Sequence, residues 1–160
     1  MKKLAQAEFQ KTDHDHQQCI NSAMDLANKV CRENDVRFTP IRQRILELIW
    51  QSHKPILAYD ILKTLRKEKE NTEPPTVYRG LDFLLEQKLI HKIESKNAYV
   101  GCSYTNQPHI GQFLICSSCD QFIEIDSARI NQTVLDEADK CGFIIDHQTI
   151  EIAGYCPKCQ

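Results

Sequence analysis

Two C-x-x-C pairs stand out in the second half of the chain: Cys116/Cys119 in "FLICSSCDQFIEID" and Cys156/Cys159 in "GYCPKCQ". C-x-x-C sets two thiolates at a tight knuckle, close enough to share one Zn²⁺. Four sulfurs that converge make a closed tetrahedral site, worth ~10–16 kcal/mol of apparent binding energy to folding. Other thiol chemistries fit less well. A thioredoxin-like redox pair needs a βαβ context and a single C-x-x-C. Two disulfides need an oxidising compartment. A zinc deaminase needs H-x-E ahead of P-C-x-x-C; here Pro157 lies inside the pair and no H-x-E occurs. The spacing therefore points to a structural zinc held by Cys116, Cys119, Cys156 and Cys159.

A second set is more scattered. His91, Cys102 and His109 precede the first knuckle and Glu124 follows it. Together they offer two imidazoles, a thiolate and a carboxylate, a four-donor set suited to zinc. Spacing alone leaves the bland readings open: a surface histidine at a strand start, and an outward strand glutamate among Phe122, Ile123 and Ile125. If these four do meet, they clamp one half of the chain to the other. Among the remaining cysteines, Cys31 and Cys141 read as thiols packed in helices, and Cys19 follows the polar stretch with His14 and His16, which reads as a solvated arm.

The chain of 160 residues suits one ordinary domain or two small ones. Hydrophobic residues make up 41% and charged residues 26%, a globular composition. No apolar run reaches membrane-spanning length, and "MKKLAQAEFQ" has no apolar core behind its lysines, so a cytoplasmic protein is expected. The net charge of −2 is unevenly spread: residues 1–90 hold 15 Lys and Arg against 13 Asp and Glu, and residues 91–160 hold 5 against 9. The first half is thus the better candidate to meet an anionic partner, through local placement of charge.

The elements that must position these groups follow from periodicity. Residues 1–22 read as a loose arm or a poorly packed first turn, and 24–34 as a helix. Thr39 can cap, and Pro40 can open, a helix with Ile41, Ile45, Leu46 and Ile49 on one face. "AYDILKTLRKEKE" repeats the pattern, "NTEPP" breaks it, and 76–87 is a third helix with Val77, Leu81, Leu84 and Leu85 inward. "LIHKIES" and "AYVGC" then alternate as a hairpin. Helices followed by a two-stranded wing make a winged helix-turn-helix, with 76–87 as recognition helix. Beyond a linker at 103–111, "GQFLIC" and "QFIEID" read as strands. A helix follows, capped by Ser127 and stopped by Gly142, and then a strand over 143–154. The fold class expected is α+β. Residues 1–22 form an arm, 23–102 a winged-helix DNA-binding domain, 103–111 a hinge, and 112–160 a small zinc-stapled α+β domain with a free sheet edge for a second copy.

The segments "RFTPIRQRIL", "PPTVYRGLDFLLEQKLIHKIES", "YVGC", "PHIGQFLICSSCDQFIEID" and "CPKC" resemble the ferric uptake regulator family, and most of all its zinc uptake regulator branch. The resemblance spans roughly residues 24–159. It implies a homodimeric, zinc-responsive repressor of zinc-uptake genes with two Zn²⁺ per subunit, not an enzyme, bound to near-palindromic double-stranded operator DNA. It implies that Cys116, Cys119, Cys156 and Cys159 hold a structural zinc. It assigns a regulatory zinc at the hinge to His91, Cys102, His109 and Glu124. It places Tyr59, Thr76, Tyr78 and Arg79 against DNA. The His-rich stretch that iron and peroxide sensors carry before the first knuckle is replaced by "NQPHIG". Cys102 also favours zinc over harder metals. His147 falls where some relatives have a ligand, but without its usual companions it reads as a strand histidine.

Overall fold

In a computed structural model the chain forms two three-stranded sheets, the first packed with four helices and the second followed by one. The structure describes residues 9, 16–51, 54–105 and 109–160, His16 by its backbone only. His14 and residues 106–108 of the expected hinge lie outside the described residues.

The first half is built from α1 (His16–Glu33), α2 (Pro40–Trp50), β1 (Ile56–Leu57), α3 (Ala58–Glu68), α4 (Pro74–Glu86), β2 (Ile90–Ile93) and β3 (Ala98–Gly101). The strands pair antiparallel in the order β1-β3-β2. Their core joins Ala27, Ile45, Leu46, Ile49, Ile61, Leu81 and Leu84, all essentially inaccessible. Burial of such side chains, at about 1.5–3 kcal/mol each, holds the helices together. Gly80 lets α4 approach α2, because a Cβ there would lie 2.4 Å from Ile45 Cδ1.

Three expectations need correction in this half, and one short strand was not expected. Residues 16–22, expected in the arm, are the first turns of α1, where Cys19 and Ile20 pack on the core ahead of Ala23, Ala27 and Cys31. The spacing of four from Cys19 to Cys31 is helical, but small side chains make a weak apolar signal. The recognition helix starts at Pro74, not at 76, because prolines at the first two helical positions lose no hydrogen bond. Thr39 sits at the cap position of α2 but makes no side-chain capping bond. The short strand β1 lacks any periodicity of its own; it is defined by pairing with Tyr99 and Ala98.

The second half holds β4 (Gly111–Cys116), β5 (Phe122–Ile125), α5 (Ala128–Lys140) and β6 (Thr149–Gly154). β4 is central, antiparallel to β5 and parallel to β6. Gly111, assigned to the hinge, already belongs to β4. Ser127 caps α5, its Oγ accepting from Ile130 N at 3.4 Å. Gly142, at φ +63°, ends α5 in a Schellman turn, with Phe143 N donating to Ala138 O and Gly142 N to Asp139 O. The last strand is shorter than expected: residues 143–148 are not strand, and Phe143 and Ile144 are exposed. His147 is therefore a loop residue before β6, touching Thr149 Oγ1 at 3.2 Å. Cys141, expected to be packed, is exposed at the end of α5.

Candidate metal centres and nucleic-acid interface

The two knuckles meet because β4 and β6 run parallel. Cys116 stands opposite Gly154 in register, so both strands end at one level and both C-x-x-C turns fold over the same end of the sheet. Ser117 N donates to Gly154 O, and Asp120, at φ +61°, returns its N–H to Cys116 O. The four sulfurs lie within 4.8 Å of one another, with Cys119 Sγ 3.8 Å from Cys156 Sγ. Thiolates bonded to zinc at ~2.3 Å stand about 3.8 Å apart in a tetrahedron, so the residues present fit the ion. Backbone N–H groups of Cys156, Cys119 and Ser118 turned toward Cys116 hold its thiol down to about 6. The thiolate, the form that binds a metal, is favoured there.

The second cluster draws on both sheets. His91 is in β2, opposite Val100. Cys102 follows β3, tied by its N–H to Leu89 O at 3.0 Å. His109 precedes β4, and Glu124 lies in β5 opposite Phe113. Their donor atoms converge within 4.8 Å. Glu124 Oε1 lies 2.7 Å from His91 Nε2 and 2.9 Å from His109 Nε2. The two imidazole nitrogens are 3.1 Å apart, and Cys102 Sγ is 3.4 Å from His109 Nε2. A tetrahedron of zinc bonds to nitrogen and oxygen has edges of about 3.3 Å. The cluster would open only slightly to take the ion.

Its electrostatics are those of a site that gathers charge in a dry place. Glu124 is fully buried, and its other oxygen accepts from Ser103 N at 2.7 Å. Burial alone would raise its pKa, but His109 and His91 outweigh burial and pull it to about 2. Burial likewise opposes the charge on His91, yet hydrogen bonds with Cys102 and Glu124 push it up to about 9. Cys102, despite burial, is held below the ordinary thiol value by His109 and His91. Leaving a buried charge such as Glu124 without partners costs ~3–5 kcal/mol.

Three supporting residues escaped the sequence reading. Gly111 makes room for His91, whose Nδ1 would lie 3.2 Å from a Cβ there. Phe113 packs edge-on against the His91 ring at 5.2 Å. Ser103 acts through its backbone, which no side-chain pattern could reveal. Gly111 was the legible one, a glycine two positions after a candidate ligand.

In the first half, α4 buries Val77, Gly80, Leu81, Phe83 and Leu84 and turns Tyr78 and Arg79 to solvent. Tyr78 is 52% and Tyr59 69% exposed, both high for tyrosine in a folded domain, and Thr76 is half-buried. Arg42 lies 3.5 Å over the Phe83 ring and donates to Arg37 O.

Residues 33–153 match the Ferric uptake regulator family. The chain is 41% identical over 134 residues to the zinc uptake regulation protein of Escherichia coli (strain K12), covering 83% of this chain and 78% of that relative. It superposes on a zinc uptake regulator solved with zinc and DNA at a TM-score of 0.80 and 37% identity, covering 91% of this chain and 95% of the other. With holo XcZur the TM-score is 0.79 at 38% identity, over 86% of this chain and 96% of the other. With apo XcZur it is 0.52 at the same 38% identity, over 88% and 97%. The chain belongs to the ferric uptake regulator family. It is thus a transcriptional regulator and not an enzyme.

Proposed function

We propose that the protein is a zinc-responsive, homodimeric transcriptional repressor that binds a near-palindromic operator when its hinge cluster is filled, and so controls zinc-uptake genes. Residues 23–102, with the first turns of α1, act as the DNA-binding domain, 103–111 as the hinge and 112–160 as the dimerisation domain. Each subunit holds two Zn²⁺. Cys116, Cys119, Cys156 and Cys159 take the structural ion; His91, Cys102, His109 and Glu124 take the regulatory one. Tyr59, Thr76, Tyr78 and Arg79 face DNA. A partner of this kind puts the protein in the cytoplasm, in keeping with the absence of any membrane-spanning helix among the described residues.

The observation that carries the reading is the meeting of His91 and Cys102 from one sheet with Glu124 from the other. The relatives' zinc and DNA, and the better fit to holo than to apo XcZur, support it. A bound ion supplies a charge that all four donors face at once. The donors then fix one orientation between the two halves of each subunit. In a dimer this sets the separation of the two α4 helices, and hence the half-site spacing they fit. Four protein donors leave no open position for a substrate, as a hydrolytic zinc requires.

A pair of titrations tests the reading: zinc with and without DNA, and DNA with and without zinc, using a duplex that the wild-type protein selects from a random pool. Couplings of this kind are typically ~1–3 kcal/mol, and each ligand must tighten the other by the same factor. Equal DNA affinity with and without zinc sinks the proposal.

A further inference from the structure

The two halves also touch away from the metal cluster. Between β2 and β3 the wing turns through a short helical turn, Glu94–Lys96, closed by Asn97 at φ +47°. The carboxylate of Glu151, in the middle of β6, caps that turn: Glu94 N donates to Oε1 at 2.7 Å and Ser95 N to Oε2 at 3.2 Å. The next residue, Lys96, reaches the first knuckle and pairs with Asp120 Oδ1 at 2.6 Å. Three consecutive wing residues are thus held by two acidic residues of the other half. Asp120 is placed by the knuckle itself, through its left-handed backbone and its N–H to Cys116 O.

We propose that Glu151 and Asp120 are positioning residues for the hinge cluster: they form a latch that uses none of its four donors and holds the wing tip against the second half. The latch rests on the reading of the hinge cluster as the regulatory site. Glu151 is the main member, since a carboxylate that accepts two backbone N–H groups makes charge-assisted bonds with fixed direction. The Lys96–Asp120 pair is exposed and contributes little by itself, but it ties the wing to the zinc-stapled knuckle. Latch and hinge ion favour the same arrangement. Removing the latch therefore weakens the ion, which must then drive closure without help.

The test uses the zinc-loaded full-length protein. Amide exchange at Glu94 and Ser95 reads the latch directly: both should be slow in the wild type and fast in Glu151→Ala. In the same variant the exchangeable zinc should bind about three- to tenfold more weakly, with the tightly held zinc and the dimer unchanged. Glu151→Gln, which keeps one acceptor, should fall between. Lys96→Asp and Asp120→Lys should each have about a twofold effect or less, and the double swap should restore the wild-type value. Fast exchange at both amides in the wild type, or unchanged zinc affinity in Glu151→Ala, overturns the latch. None of these readouts needs DNA, so failure to select any duplex would defeat the proposed function and leave the latch standing.

Discussion

All four cysteines of the knuckle cluster sit at one end of a single sheet, whereas the four donors of the hinge cluster come from two sheets and the segment between them. The first arrangement exists only if β4, β5 and β6 are folded, and it closes a half whose helix, α5, buries no side chain. On the proposed reading its metal energy is folding energy. The second joins two halves that each have their own strands, so a metal held there would act on their orientation. Donor chemistry follows the same division. Thiolates alone make a site that keeps its ion, while a mixed set with titrating imidazoles makes one that exchanges.

The largest expected effect falls on the first cluster. Cys119→Ser removes one of four sulfurs and leaves the knuckle without its ion. We expect loss of secondary structure or of the dimer, measured by circular dichroism and sedimentation. A mutant that sediments as a dimer with unchanged spectra would refute the structural role.

Cys102→Ala is the matching change in the second cluster, and its contrast with Cys119→Ser is the test of the comparison. The dimer should persist and keep about one tightly held zinc per chain. The exchangeable zinc should weaken, and binding to the selected duplex should no longer strengthen over the zinc range that saturates the wild type. Metal analysis after dialysis and a zinc-dependent DNA titration read both outcomes. If the variant responds to zinc at the wild-type concentration, Cys102 is not a sensing ligand.

Arg79→Ala should leave both clusters untouched and cost about 1–3 kcal/mol of specific DNA binding if the guanidinium meets a base edge. The comparison is between the selected duplex and a scrambled one. An equal fall on both makes Arg79 a phosphate contact, and no fall on either removes α4 as the reader.

Much of this architecture could be read from the sequence, for physical reasons that differ by element. C-x-x-C is a local geometry, so the cysteine knuckles were visible at once, and only the parallel pairing of β4 with β6 was needed to bring them together. The helices carrying Ile45, Ile61 and Leu81 declare themselves because large apolar side chains repeat at helical spacing. The start of α1 was hidden because its inward face is cysteine and alanine. Strand β1 was hidden because two residues have no period. Residues 143–148 looked like strand, yet Phe143 and Ile144 are exposed and the ladder begins only at Thr149. Within the hinge cluster the four donors were legible as residue types. What assembles them was not: the Ser103 amide is backbone, and the Glu151 contact with the wing joins residues more than fifty positions apart.

The last prediction uses the proton to separate the clusters. Without metal, Cys102 and Glu124 outweigh burial and push His91 to about 9. At neutral pH the His91 ring therefore carries a proton that must leave before Nε2 can act as a metal donor. Below about pH 9 the exchangeable zinc should tighten about tenfold per pH unit for this proton alone, and the rise should level off above it. With the knuckle zinc in place and the hinge cluster empty, stability should run the other way. A histidine raised from 6.5 to about 9 contributes stability that is complete below 6.5 and lost as pH rises through about 9. Glu124, lowered from 4.5 to about 2, contributes stability present above 4.5 and lost as pH falls through about 2. Together the pair favours the fold with an empty hinge cluster most between about 4.5 and 6.5. Chelator competition at about pH 6.5, 7.5 and 8.5, with metal analysis of the protein that remains, reads both clusters in one experiment. The tightly held zinc should stay at one per chain throughout while the second site gains affinity at each step. A flat profile for the second zinc would show that His91 holds no proton for the metal to displace, and the raised pKa of this imidazole would fall.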